Sequence, residues 1–305
     1  MRGQDLALRI VGQLRETFAP LIDTRTPVAL AGFPDTLDCS RAASWLGAKQ
    51  LLAELGAQVA YECSAQTYNR DEMAARIGKG TIVVCGGESS GSSLREDFPN
   101  NKIVFLTKDC ASDASFMLRI QLRSTEPVYE TLWIGRTDSE SADDTTEAAA
   151  RLSSQAAEKF ELPAFDDGVE MHFAVKHRPH TILLTDWTSI FFENVQNRNT
   201  VKALGFDVQA RIYLSRAIYM LSLGHVVITD RLHGHILCLL LGIPHILLNS
   251  KSGKNWEFHQ HWTRDAQLCR LAASPAEAWS FARHALPAIK ELKAVAAENW
   301  SWKDF

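Results

Sequence analysis

The sequence predicts an α/β protein made of two Rossmann-like halves, each a parallel sheet covered by helices. Three observations carry that expectation. Short apolar runs alternate with amphipathic segments of helical length, the βαβ rhythm of a parallel sheet. At 305 residues the chain is long for one domain and comfortable for two of roughly 100–200 residues each. Between residues 107 and 130 the rhythm gives way to mixed composition without a strong period, and a second strand series follows. The expected domains are therefore 1–125 and 126–305.

Taken in order, Pro27 to Phe33 reads as a short buried strand and Ala42 to Leu55 as a helix, with Gly56 in the left-handed position just past its end. Gln58 to Cys63 is a second strand, Asp71 to Ile77 a short helix, Thr81 to Cys85 a third strand and Lys102 to Leu106 a fourth. After the break, Thr131 to Gly135 is a strand, Thr145 to Lys159 a polar helix and Thr181 to Thr185 a strand. Ala210 to Leu223 is a helix with apolar residues on one face, followed by strand Val226 to Thr229, a helix over 232–241 and strand Pro244 to Leu248. Ser274-Pro275-Ala276-Glu277 opens a last helix, with serine as N-cap, proline at the first helical position and glutamate positioned for a capping box.

Composition narrows the function classes. Hydrophobic residues make up 46% and charged residues 22%, which is ordinary for a soluble globular chain. A net charge of −4 gives no electrostatic reason to expect a nucleic-acid partner. The cysteines (Cys39, Cys63, Cys85, Cys110, Cys238 and Cys269) are scattered, form no CxxC pair and mostly sit among apolar neighbours. They read as small buried hydrophobes in a reducing compartment, with an extracellular disulfide framework as the other reading. No apolar run reaches the roughly 20 residues that span a bilayer. The first residues, Met1 to Asp5, carry no continuous apolar stretch of the signal-peptide kind. The expectation is a cytoplasmic protein without a membrane span, open to an anchor upstream.

The chemistry concentrates between two apolar runs, in Val226-Val-Ile-Thr-Asp-Arg-Leu-His-Gly-His-Ile-Leu237. A strand ends at Thr229 and a helix begins at Leu232, so Asp230 to His233 form the turn. A helix start presents free N–H groups and the positive end of its dipole, which suits an anion. Arg231 adds a fork-shaped cation that matches carboxylate or phosphate. His233 at the mouth can give or take a proton near neutral pH. Gly234 lacks a Cβ and lets a ligand approach the backbone. The same residues also admit a structural reading, in which Asp230 pairs with Arg231 or caps the helix and the histidines satisfy buried carbonyls. Two Rossmann-like halves would hold a ligand at the carboxyl ends of their strands. Arg136-Thr137-Asp138 closes one strand there and Gly86-Gly87 follows another.

That run is followed by Leu241-Gly-Ile-Pro-His-Ile-Leu-Leu-Asn249 and Ser252-Gly-Lys254, and together they resemble the polysaccharide pyruvyl transferase family. Trp262-Thr-Arg-Asp265, Ala273 to Ala278 and Leu132-Trp-Ile-Gly-Arg-Thr-Asp138 extend the resemblance. In the first half, Gly32-Phe-Pro34, Trp45-Leu-Gly47 and Phe98 to Lys102 also look like family segments. The match covers most of residues 27–290, specific after residue 180 and patchy before 125. It implies a GT-B-like pair of Rossmann-like domains, the first on the acceptor side and the second on the donor side. It also implies transfer of the enolpyruvyl skeleton of phosphoenolpyruvate onto two hydroxyls of a sugar or glycan, giving a pyruvate ketal and phosphate. No cofactor is implied beyond phosphoenolpyruvate as donor substrate. By the resemblance, Arg231, Leu232 and His233 would hold the donor, with Arg231 on the anion and His233 as acid or electrostatic partner.

Further candidates keep two readings each. Lys254 is a second cation for the donor or a solvated loop lysine. Arg136 and Asp138 face the ligand or form a structural ion pair. Gly86 and Gly87, in Gly86-Gly-Glu-Ser-Ser-Gly91, cradle an anion or make a plain loop; the run lacks the Gly-Lys-Ser/Thr ending of a P-loop. His235 is two residues from His233 and points elsewhere on a helix. His259 and His261 invite a metal reading but also diverge on a helix, and no metal is expected.

The chain departs from the family pattern in three places. The family's Asn-x-Gly-Asp run is Asp38-Cys-Ser-Arg41 here, the glycine-rich loop is altered at residues 85–92, and the stretch after residue 106 is short. The first domain is therefore expected to be reduced, with an exposed sheet edge. Two other functions stay open: a catalytically degenerate relative that binds phosphoenolpyruvate or glycan without turnover, and a GT-B-like glycosyltransferase using a nucleotide sugar.

Overall fold

A computed structural model of the chain describes residues 1–35, 39–85, 92–106, 113–120, 123–136, 138–141, 201–292 and 302, together with the backbone of strands within 157–186. They fall into two compact units. One comprises Leu8–Arg119 with Gly205–Leu214; the other comprises Met1–Ala7, Ile120–Leu204 and Ser215–Phe305.

The first unit is an α/β layer structure. Its sheet is wholly parallel, in the order β2 (Val59–Ser64), β1 (Val28–Phe33), β3 (Ile82–Val84), β4 (Ile103–Phe105). All three residues of β3 are fully buried, as a parallel strand covered on both faces requires. Helix α1 (Gly3–Phe18), which enters this unit at Leu8, presents Ile10, Leu14 and Phe18 at four-residue spacing, and each is at most 2% exposed. Helix α2 (Cys39–Glu54) ends where Gly56 takes φ +80°. Helix α3 (Arg70–Ile77) is capped by the Asn69 side chain, which accepts from the Glu72 N–H. Helix α4 (Ser92–Asp97) precedes β4. Where the sequence showed no period, a 3₁₀ turn (Ala114–Met117) packs on α2, so closely that a Cβ on Gly47 would lie 2.0 Å from the Ala114 carbonyl oxygen. Phe33, Trp45 and Phe206 form an aromatic cluster, with Phe33 and Phe206 stacked at 4.4 Å.

The second unit holds the larger sheet. Its order is β11 (Cys269–Ala272), β10 (His245–Leu248), β9 (Gly224–Thr229), β5 (Tyr129–Gly135), β8 (His180–Asp186), β7 (Phe173–His177), β6 (Ala157–Glu161). The run from β11 to β8 is parallel, and β7 and β6 extend it antiparallel. Helix α5 (Phe206–Ser222), of which Ser215 onward belongs to this unit, precedes β9, α6 (Leu232–Leu240) follows it, and α7 (Lys254–Phe258) follows β10. Helix α8 (Pro275–Glu291) opens at the expected N-cap: Ser274 accepts from the Glu277 N–H, while the Glu277 carboxylate accepts from the N–H of Ala273, one residue before the box's usual partner.

One predicted element changes type. Of the polar helix expected over 145–159, residues 145–156 lie outside the described residues and 157–159 belong to strand β6. Pairing with β7, with Ala157 opposite His177, supplies the backbone bonds there, and tertiary pairing overrides local helix preference. Among the described residues no helix is long and apolar enough to cross a membrane. Cys39, Cys63, Cys85, Cys238 and Cys269 are free thiols; Cys110 lies outside the described residues. Burial pushes the Cys63 thiol up to about 11, so it stays protonated at neutral pH.

Candidate functional site

The topology itself marks a crevice in the second unit. From β5 the chain runs to β6, β7 and β8 on one side, then returns through α5 to β9 on the other side of β5. Loops leaving β5 and β9 therefore diverge at their carboxyl ends, the place where open α/β sheets bind ligands. The register puts Ile134 of β5 beside Thr229 of β9, and Thr229 beside Leu247 of β10. The segments following these three neighbouring strands carry Arg136 and Asp138, Asp230 to His233, and Asn249 to Lys254.

Arg136 and Asp138 form a two-pronged ion pair, with Nε donating at 2.8 Å and Nη2 at 3.0 Å to the two carboxylate oxygens. Arg231 joins from β9, its Nη1 lying 3.9 Å from Asp138 Oδ2. The Arg136 bond holds the Asp138 carboxyl below the usual carboxylate range, against the opposing pull of burial. Burial works against the Arg136 charge, and the Asp138 carboxylate outweighs it, raising the guanidinium above its ordinary value. Glu140 is held low chiefly by the Ser252 hydroxyl, which donates to it at 2.7 Å, and also by the charge of Lys254.

Arg231 is the N-cap of α6, with extended φ −98° and ψ 123°, and its side chain makes no capping bond. Its own N–H donates to Thr229 Oγ1 at 3.1 Å. Asp230 is fully buried, Arg231 is 7% exposed, and Leu232 and His233 are half-buried at the helix start. Gly234 has a packing reason of its own: a Cβ would stand 2.9 Å from Thr229 Oγ1 and 3.2 Å from its Cγ2, so the glycine lets α6 start tight against β9. Lys254 opens α7 and is exposed. Its neighbour Asn255 is 2% exposed and donates through Nδ2 to the carbonyls of Asp230 and Leu248 at 2.5 and 3.1 Å, tying the β10 loop to the turn that carries Arg231. Asn255 was missed in the sequence; its only signal is its place beside Gly253-Lys254 after a buried strand. Gly86, Gly87 and Asp38 lie outside the described residues, and Cys39 to Arg41 occupy the first turn of α2.

The remaining histidines form a separate, buried chain. His245 Nδ1 is 2.9 Å from the Ile243 carbonyl, His245 Nε2 is 2.7 Å from His235 Nδ1, His235 Nε2 is 2.8 Å from Thr263 Oγ1, and His259 Nδ1 is 3.0 Å from the same oxygen. A carbonyl can only accept, so His245 donates from Nδ1, and for neutral rings every later link is then forced. His235 donates to His245, Thr263 donates to His235, and His259 donates to Thr263. Burial drives the pKa of His245 down to about 4 and those of His235 and His259 down as well, so the neutral chain is the state at neutral pH. Thr263 and His259 come together in a π-helical turn (His259–Thr263), a rare element that redirects side chains. His261 instead is exposed and donates to the Glu257 carbonyl at 2.8 Å. His235, His245 and Cys269 have ligand atoms all within 4.8 Å of one another. A tetrahedral metal would need the two nitrogens roughly 3.3 Å apart, whereas they share a proton at 2.7 Å; a metal would have to break the chain to enter.

Three comparisons bear on the chain. The family model described as polysaccharide pyruvyl transferase matches residues 210–252, which run from α5 through β9, α6 and β10 to Ser252. A Schizosaccharomyces pombe protein named pyruvyl transferase 1 is 42% identical over 64 residues, covering 21% of this chain and 16% of that protein's length. The crystal structure of an uncharacterized Klebsiella pneumoniae protein is similar at 14% identity and a TM-score of 0.48, covering 88% of this chain and 98% of that one. The segment that carries Arg231 and His233 is thus similar to polysaccharide pyruvyl transferases, and the chain spans well under two thirds of the length of the curated relative it matches.

Proposed function

We propose that the protein transfers a pyruvyl group from phosphoenolpyruvate to a sugar of a polysaccharide or glycan, forming a pyruvate ketal and releasing phosphate. The observation that carries this reading is the convergence of Arg136, Arg231 and the start of α6 at the switch point between β5 and β9. Phosphoenolpyruvate presents a carboxylate and a phosphate on one small carbon frame. Two guanidiniums and a run of helix-end N–H groups are the complementary surface. Protonation of the methylene carbon makes C2 electrophilic, and we assign that proton to His233, half-buried at the start of α6. One sugar hydroxyl adds to C2 and a second displaces phosphate. Of the two hydroxyl protons, one replaces that spent on the methyl group and the other leaves with phosphate. Lys254 adds positive charge from the β10 loop.

We assign the donor to the second unit and the acceptor to the first. A cytoplasmic location fits the free thiols of the described cysteines. One observation favours a second reading, binding without turnover: Arg41 stands in the first turn of α2 where the family pattern has an acid. Phosphate release from phosphoenolpyruvate, measured with galactosides, glucosides and mannosides as acceptors, tests both. Acceptor-dependent release that drops at least 100-fold in Arg231→Ala, as loss of a charged donor contact predicts, supports the transferase. Heat protection by phosphoenolpyruvate without release selects the binder. Neither release nor protection overturns the donor-site reading.

A further inference from the structure

We propose that Asp138 is a built-in stand-in for the donor's carboxylate, holding the Arg136–Arg231 cation pair until the carboxylate end of the donor displaces it; this rests on the donor reading above. The geometry is that of a carboxylate clamp already filled. One planar two-oxygen anion takes both fork donors of Arg136, at 2.8 and 3.0 Å, and its second oxygen faces Arg231 at 3.9 Å. A small carboxylate-bearing substrate would be gripped in the same way.

Exposure decides which member can leave. The Arg231 side chain is 9% exposed and that of Arg136 21%, whereas that of Asp138 is 47% exposed. The cations are embedded and the acid stands on the solvent side, so it can swing into water while the guanidiniums remain. A buried charge needs a close partner, and Arg136 has one in hydrogen-bond contact beside the more distant charges of Asp230 and Glu140. An acid two residues along the same loop supplies one that needs no ligand. Its position is set by the Glu140 N–H, which donates to Asp138 Oδ1 at 3.1 Å. A donor carboxylate would take over the contacts that the Asp138 carboxylate makes with Arg136 and Arg231. The donor's phosphate is thereby left to the start of α6.

The test is equilibrium titration of phosphoenolpyruvate, pyruvate and inorganic phosphate into the wild-type chain, Asp138→Asn, Arg231→Ala and Glu140→Gln. Removing the competing carboxylate should tighten phosphoenolpyruvate and pyruvate by about ten-fold, the worth of a charge-assisted hydrogen bond at a half-exposed group, and leave phosphate unchanged. Glu140→Gln, an equal loss of charge on the same loop, should move all three ligands alike and by no more than about two-fold. A gain of binding is not something a merely structural aspartate would produce on removal. Unchanged or weaker phosphoenolpyruvate binding in Asp138→Asn would mean that the acid only orients the arginines, and would overturn the proposal. Equal tightening of all three ligands would mean a general field effect and would also overturn it. Arg231→Ala reports separately: if it binds phosphoenolpyruvate as the wild type does, the donor reading itself fails, whatever Asp138→Asn shows.

Discussion

Lowering the pH from 7 to 5 should cost the second unit about 2 kcal/mol of stability through His245 alone. The ring is buried without charge between Ile243 and His235, and its pKa falls from 6.5 to about 4. Above 6.5 neither the folded nor the unfolded chain holds a proton there. Between 6.5 and about 4 the unfolded chain binds one and the folded chain does not, so stability falls with pH through that window and levels off below it. The full shift amounts to about 3 kcal/mol, of which roughly 2 are lost by pH 5. His235 and His259 shift in the same direction and add to the loss. The assay is urea unfolding followed by tryptophan fluorescence, with Trp133, 1% exposed on β5, as reporter in the same sheet. The perturbation is His245→Gln, which keeps an acceptor toward His235 and cannot titrate. At a denaturant slope of about 2 kcal/mol per molar, the wild-type midpoint should fall by roughly 1 M more than the variant's between the two pH values. Equal falls in both proteins would refute the buried-neutral assignment of His245.

Two further outcomes follow from packing and capping. Gly234→Ala should lower stability by about 1–3 kcal/mol, because its Cβ meets the Thr229 side chain at the end of β9; thermal denaturation of the variant measures this, and an unchanged midpoint would show that α6 can shift freely. Ser274→Ala removes the acceptor for the Glu277 N–H and should cost about 1 kcal/mol, read as a midpoint shift in the same urea experiment.

The strands and helices that follow strong period were legible in the sequence, because burial on both faces leaves near-continuous apolar runs such as Ile82–Val84 and Val226–Ile228. The cap at Ser274 and the stop at Gly56 were legible for a local reason: both depend on residues adjacent in the chain. The β6–β7 edge was not, since its backbone is satisfied by pairing that no short window reports. The crevice residues Arg136, Asp138 and Arg231 could be named as strand-end polar groups. That one acid would bridge two arginines could not, because it depends on β5 and β9 being neighbours. The histidine chain was hidden for the same reason. His235, His245 and His259 lie on a helix, a strand and a π-helical turn, and only the third dimension lines them up.

The interleaving of the two units has a consequence for how the chain is made. The first unit draws Gly205–Leu214 from late in the sequence, and the second draws Met1–Ala7 from its start. Phe33 and Trp45 leave the ribosome well before their aromatic partner Phe206, which lies about 160 residues further along the sequence. Neither unit can finish its packing in the order of translation. Cutting the gene between residues 119 and 120 would therefore yield two fragments that each lack a piece carried by the other, and the units should fold as separate proteins only after circular rearrangement or grafting of the exchanged segments.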